Sequence, residues 1–227
     1  MSRKRAAICG GREDQRPSAG GVTTAGTGAR ALGLGATRDA ILQLPKKAPS
    51  PLPLLVLLHG AGGSAQGVLR RLGQVADEAG IAVLAPDSRD SSWDAIGGSF
   101  GRDVSFVNRA LERVFEVVAI DPARVATGGF SDGATYALSL GLINGDLFRR
   151  VVAFSPGFVV DGMPHGKPRF FISHGIADTI LPIDRCSRRI VPALQQRGYD
   201  VTFREFNGGH EVPPAIAREG MQWMALS

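Results

Sequence analysis

Arg124-Val125-Ala126-Thr127-Gly128, then Gly129-Phe130-Ser131-Asp132-Gly133, then Ala134-Thr135-Tyr136-Ala137-Leu138-Ser139-Leu140 is the stretch that decides the fold. The first segment reads as a short buried strand and the last as a small-residue helix. A serine at such a junction sits on a sharp turn, its hydroxyl exposed above a parallel sheet. The glycines on either side allow strand and helix to approach without a Cβ between them. A second Gly-x-Ser-x-Gly occurs at Gly97-Gly98-Ser99-Phe100-Gly101. It follows the polar run Ser91-Ser92-Trp93-Asp94, has no β-branched strand before it, and reads as a loop.

Outward from Ser131, strands and helices alternate. Early strands are expected at Ala31–Leu34 and Asp39–Leu44, and Leu54-Leu55-Val56-Leu57-Leu58 is an unbroken apolar run suited to a central parallel strand. Further strands are predicted at Ile81–Ala85, Val151–Phe154, Phe170–Ser173 and Val201–Phe206. Helices are predicted at Val68–Glu78, from a cap at Asp103 to about Val118, at Cys186–Arg197 and at Pro213–Met224. This alternation specifies an α/β fold, a mostly parallel sheet with helices on both faces. Only about a dozen residues separate Pro156 from Arg169, too few for a helical cap domain.

Length and charge narrow the function classes. A chain of 227 residues fits one catalytic domain, assigned to 31–227, preceded by a basic, Gly-rich tail over 1–30 expected to be disordered. The tail holds six basic side chains against Glu13 and Asp14, so it carries +4 of the net +5. The basic balance therefore belongs to the tail, and no nucleic-acid-binding face is expected on the fold. No apolar run approaches the roughly 18 residues of a membrane span. Two cysteines, Cys9 and Cys186, have neither metal-ligand spacing nor the look of a disulfide framework, and a reducing, cytoplasmic setting is expected.

A serine hydroxyl needs a base to take its proton, and the base needs a third group to orient it. The four histidines are His59, His165, His174 and His210. Only His210 lies just past the last strand, in Asn207-Gly208-Gly209-His210-Glu211, where the carboxyl ends of parallel strands gather. The acid is expected from His174-Gly175-Ile176-Ala177-Asp178, the end of the strand in between, with Asp178 preferred. Asp184, the rival, sits at a helix start and suits the helix dipole. Backbone N–H groups for a developing oxyanion are expected at Asp132 and, in the Gly-rich His59-Gly60-Ala61-Gly62-Gly63, at Ala61. That loop lacks a Gly-Lys-Ser/Thr ending and the Gly-x-Gly-x-x-Gly spacing, which argues against phosphate binding.

In this order, Leu58-His59-Gly60-Ala61-Gly62-Gly63, Gly129-Phe130-Ser131-Asp132-Gly133, His174-Gly175-Ile176-Ala177-Asp178 and Gly209-His210 resemble the phospholipase/carboxylesterase group of α/β-hydrolases. The resemblance covers about residues 38–225. It implies a serine esterase without a cofactor, with Ser131, Asp178 and His210 as the triad and Ala61 and Asp132 as oxyanion donors. Members resembling acyl-protein thioesterases carry Gln and then a Gly pair after the serine, where this chain has Asp132 and Gly133-Ala134. The chain is also similar to polyhydroxybutyrate-depolymerase and feruloyl-esterase relatives. Thioesterase, amidase and peptidase chemistry would use the same three side chains, and a binding module would be expected to have lost one. Trp93, Phe158, Ile180 and Leu181 fall on loops at the same sheet edge and are the candidates for a pocket wall, whereas Phe130 is expected to pack into the fold. The expected partner is a small-molecule ester; a homodimer is left open.

Overall fold

A computed structural model describes residues 26–35, 37–48 and 50–226. Among these residues eight strands form one sheet: β1 (Gly28–Ala31), β2 (Ala40–Leu44), β3 (Leu52–Leu58), β4 (Ala82–Pro86), β5 (Ile120–Phe130), β6 (Arg150–Phe154), β7 (Arg169–Gly175) and β8 (Val201–Phe206). Their spatial order is β1-β2-β4-β3-β5-β6-β7-β8, and only β1 and β2 run antiparallel to their neighbours. The helices are α1 (Ala65–Glu78), α2 (Asp94–Gly97), α3 (Arg102–Val117), α4 (Asp132–Ile143), α5 (Ser187–Gln196) and α6 (Pro214–Ala225).

The period-two geometry of β3 sorts its side chains into two cores. Leu52, Leu54, Val56 and Leu58 join the side chains of α3, α4 and α5 on one face. Leu55 and Leu57 join those of α1 and α6 on the other. Every residue of β3 is buried, which explains why its sequence shows no alternation. Helix α4 is buried from Gly133 to Leu142, and its composition is accordingly apolar nearly all round.

The first strand departs from expectation. It begins at Gly28 and ends at Ala31, so the last three residues assigned to the tail belong to the sheet, while 1–25 lie outside the described residues. Gly33 and Leu34, expected to be in the strand, instead donate their N–H groups to the Asp39 carboxylate (2.7 and 2.9 Å), which closes the turn into β2. Asp103 also differs from its expected capping role. It is the second residue of α3, and its carboxylate accepts from the N–H groups of Arg89 (2.5 Å) and Asp94 (2.7 Å). Asp94 answers by accepting from Asp103 N–H (2.9 Å) and from the Tyr136 hydroxyl (3.1 Å). This pairing fixes the 88–101 segment, which holds α2, an element without a sequence signal.

At the β5–α4 junction the packing leaves no room for a side chain. A Cβ on Gly133 would stand 2.2 Å from Leu58 O and 2.5 Å from His59 O; one on Gly129 would stand 2.5 Å from the Gly133 carbonyl carbon. The obstructing atoms are backbone and cannot rotate aside. Gly133→Ala is therefore expected to cost about 1–3 kcal/mol of stability, the range for overpacking. The cost would appear as a lower urea midpoint; an unchanged midpoint would contradict this account of the junction.

Candidate active site

Ser131 joins β5 to α4 with φ 58°, the left-handed region that a non-glycine residue occupies at a cost of about 1–3 kcal/mol. Its N–H donates to Phe154 O (3.0 Å), and its carbonyl accepts from Thr135 N–H (3.0 Å), so sheet and helix each hold one side of the turn. Ser131 Oγ lies 2.9 Å from His210 Nε2, and His210 Nδ1 lies 2.7 Å from Asp178 Oδ2. Three strand ends, those of β5, β7 and β8, thus contribute one side chain each to a continuous chain of hydrogen bonds. Asp184 is not part of it; its carboxylate pairs with Arg188 at 2.8 Å.

The Asp178 carboxylate is buried and has four donors. Oδ1 accepts from the N–H groups of Ile180 (2.9 Å) and Leu181 (2.8 Å), and Oδ2 accepts from His210 and from His174 Nε2 (3.2 Å). Burial alone would push this carboxyl up, but the hydrogen bonds from His210, Leu181 and Ile180 outweigh it and hold the group below the ordinary carboxylate range. His174 had no role in the sequence reading, yet it is fully buried beneath the acid. Its Nε2 faces two acceptors, Leu181 O (2.7 Å) and Asp178, and so carries the proton; Nδ1 then accepts from the Ser187 hydroxyl (2.7 Å). The signal available in the sequence was the four-residue spacing from His174 to Asp178 across a tight turn.

The Gly-rich loop lies against the serine. A Cβ on Gly60 would be 3.3 Å from Ser131 Cβ. His59, buried beneath the loop, donates from Nδ1 to Gly60 O (2.7 Å), and its Nε2 accepts from Ser88 N–H (3.1 Å). Gly62 N–H donates to Ser91 O (2.6 Å) and Gly63 N–H to Gly60 O (3.0 Å). Between them, Ala61 N–H has no protein acceptor among the described residues. Asp132 N–H, first in α4, is one of the groups that a helix leaves unpaired. The Asp132 carboxylate turns instead to the Ser92 hydroxyl (2.5 Å).

The four residues expected to line a pocket separate. Trp93 is not a surface wall: it is 1% exposed, its Nε1 donates to His59 O (2.8 Å), and its ring packs on His59 and Tyr136 at 4.9 and 5.1 Å. It supports the Gly-rich loop from below. Ile180 is 67% exposed beside Asp178, and Leu181 is half-buried. Phe158 faces a groove toward α5 that neither Ser131 nor His210 lines. Phe130, expected to pack inward, lies with its ring 4.7 Å from that of His210 and with the Arg71 guanidinium 4.8 Å from its centroid. Among the described residues, no group of three or more His, Cys, Asp or Glu side chains is arranged to hold a metal ion. No helix among the described residues is long and apolar enough to cross a membrane.

A model of the phospholipase/carboxylesterase family matches residues 84–225. The putative esterase NocK of Nocardia uniformis subsp. tsuyamanensis is 29% identical over 188 residues, which cover 77% of this chain and 54% of that protein. Feruloyl esterase C of Emericella nidulans is 27% identical over 157 residues, 65% of this chain and 57% of its own. The chain thus spans little more than half the length of these relatives. A Bacillus cereus carboxylesterase shares the fold with a TM-score of 0.66 at 23% identity, over 85% of this chain and 96% of that one. The fluorophosphonate-binding serine hydrolase FphF of Staphylococcus aureus does so with a TM-score of 0.72 at 19% identity, over 89% of this chain and all of that one. The fold is that of the α/β-hydrolases.

Burial pushes both His59 and His174 below the ordinary imidazole pKa, so the folded protein keeps them neutral. On acidification below about pH 6.5 the unfolded chain protonates these imidazoles and the folded chain does not. Stability is therefore present above that pH and lost as the pH falls below it, because the unfolded chain binds the more protons. The urea midpoint should be level from pH 8 to 7 and fall between pH 6.5 and 5. A level midpoint down to pH 5 would contradict neutral burial of these residues.

Proposed function

The chain belongs to the phospholipase/carboxylesterase family, and from that premise we propose that it is a serine carboxylesterase working through an acyl-enzyme on Ser131. The observation that carries the reading is the unbroken path from Ser131 Oγ to His210 Nε2 (2.9 Å) and from His210 Nδ1 to Asp178 Oδ2 (2.7 Å). In this reading His210 takes the Ser131 proton as Oγ attacks the ester carbonyl, and the Asp178 carboxylate stabilises the imidazolium that results. The tetrahedral oxyanion is held by the N–H groups of Ala61 and Asp132. Collapse expels the alcohol, which takes the proton from His210. Water then repeats the sequence on the acyl-enzyme and releases the acid.

His174 is a positioning residue in this scheme. Its N–H and the two amides of Ile180 and Leu181 leave the carboxylate one orientation, with Oδ2 facing His210. Phe130 limits the tilt of the imidazole from one side. The site's chemistry extends to thioesters, whose carbonyl meets the same nucleophile. An acyl-protein thioesterase of Emericella nidulans and a rat S-formylglutathione hydrolase, 28% and 29% identical to this chain, give that substrate class a place beside simple esters.

The test is turnover of p-nitrophenyl esters from acetate to palmitate by the wild type and by Ser131→Ala. Wild-type hydrolysis of the shorter esters is expected, with kcat reduced by roughly 10⁴-fold or more in the variant. Equal turnover by the two proteins would sink the assignment of Ser131.

A further inference from the structure

The segment joining β6 to β7 is fastened to α4. Gly157 N–H donates to Thr135 Oγ1 (2.8 Å), Val160 N–H to Ser139 Oγ (2.9 Å) and His165 N–H to Leu142 O (2.8 Å). Among the described residues, no hydrogen bond ties 156–164 to α5, and between that segment and the helix a groove of about 350 Å³ opens. This is within the range of small-molecule sites, about 300–1,000 Å³. Leu142, Ile190 and Leu194 form its floor, and Phe158, 44% exposed, stands in one wall.

The opposite wall is cationic. Arg189, on α5, lines the groove together with Arg185 and Arg197, which lie just beyond the two ends of that helix. None has an ion-pair partner among the described residues. The nearby carboxylates of Asp184 and Glu205 are both taken by Arg188, each at 2.8 Å. Asp161 is the one acidic side chain in the lining, so three guanidinium charges against one carboxylate leave the groove at +2.

We propose that this groove is a binding site for a monocarboxylate with a medium-length alkyl chain, separate from the site around Ser131. A guanidinium presents a planar fork of donors that matches a carboxylate, and the apolar floor covers the chain behind it. A neutral alcohol of the same length leaves the excess positive charge unmatched, and an alkyl cation is repelled. The groove reaches the reacting centre through one residue. Leu181 Cδ2 lies 3.5 Å from where a Gly157 Cβ would be, and the Leu181 amide holds Asp178. Such an acid is also what ester hydrolysis would release, but the binding claim does not depend on that reading.

The test is calorimetric titration of full-length Ser131→Ala with decanoate, decanol and decyltrimethylammonium. Saturable 1:1 binding of decanoate is expected. The other two probes, and decanoate with Arg185→Gln/Arg189→Gln added to Ser131→Ala, should bind at least about tenfold more weakly, the worth of one charge-assisted hydrogen bond. Phe158→Ser, on the far wall, should weaken decanoate as well. No saturable binding, equal binding of the three probes, or indifference to the arginine pair would overturn the proposal. So would loss of decanoate binding when wild-type Ser131 is blocked by a fluorophosphonate, because the acid would then occupy the ester site. Decanoate binding through the arginines in a protein whose Ser131 takes no fluorophosphonate would uphold the groove and count against the esterase.

Discussion

The close crossing of β5 and α4 over the end of β3 is the constraint on which the rest of the structure depends. Leu58 O and His59 O lie where a Cβ on Gly133 would have to go, and the Gly133 backbone blocks one on Gly129. The chain can therefore pass from strand to helix only within the single residue between Phe130 and Asp132, and that residue is forced to φ 58°. The same compression brings the His59–Gly63 loop against Ser131, because Leu58 and His59 are the backbone being touched. One steric fact thus positions a hydroxyl, the start of a helix and the unpaired Ala61 amide together.

The carboxylate of Asp178 organises the other half of the site. Left alone, a buried carboxyl would favour its neutral form, since burial penalises charge. The His210 imidazole and the amides of Leu181 and Ile180 reverse that preference, and with His174 they fix the carboxylate's orientation. The two imidazoles differ in kind. His174 is sealed between Ser187 and Leu181 with its tautomer fixed, whereas His210 sits 15% exposed at the end of β8, with Ser131 on its other nitrogen. Burial holds His174 below the ordinary imidazole range and keeps it neutral.

That Ser131, Asp178 and His210 come together was legible in the sequence because strand ends in a parallel sheet share an edge, and each lies within a few residues of an apolar strand run. Element boundaries were legible to within a few residues wherever the hydrophobic run was long. What escaped depended on partners distant in the chain. Trp93 looked stranded in a polar loop because its acceptor, His59 O, lies 34 positions earlier and its ring partner Tyr136 lies on a later helix. Phe130 could be placed at the elbow but not against His210, which comes from the far end of the chain. Which groove Phe158 faces is decided by the bonds that tie its segment to Thr135 and Ser139, on a helix earlier in the chain.

The most direct test of the account is to trap the acyl-enzyme. Wild-type protein mixed with p-nitrophenyl butyrate, quenched in acid during turnover and digested, would be analysed by mass spectrometry for a butyryl group. The account predicts the adduct on the peptide containing Ser131, formed with a burst of nitrophenolate and absent from Ser131→Ala. Turnover with the butyryl group on another residue, Ser99 included, or with no adduct on a quenched enzyme that shows a burst, would contradict it.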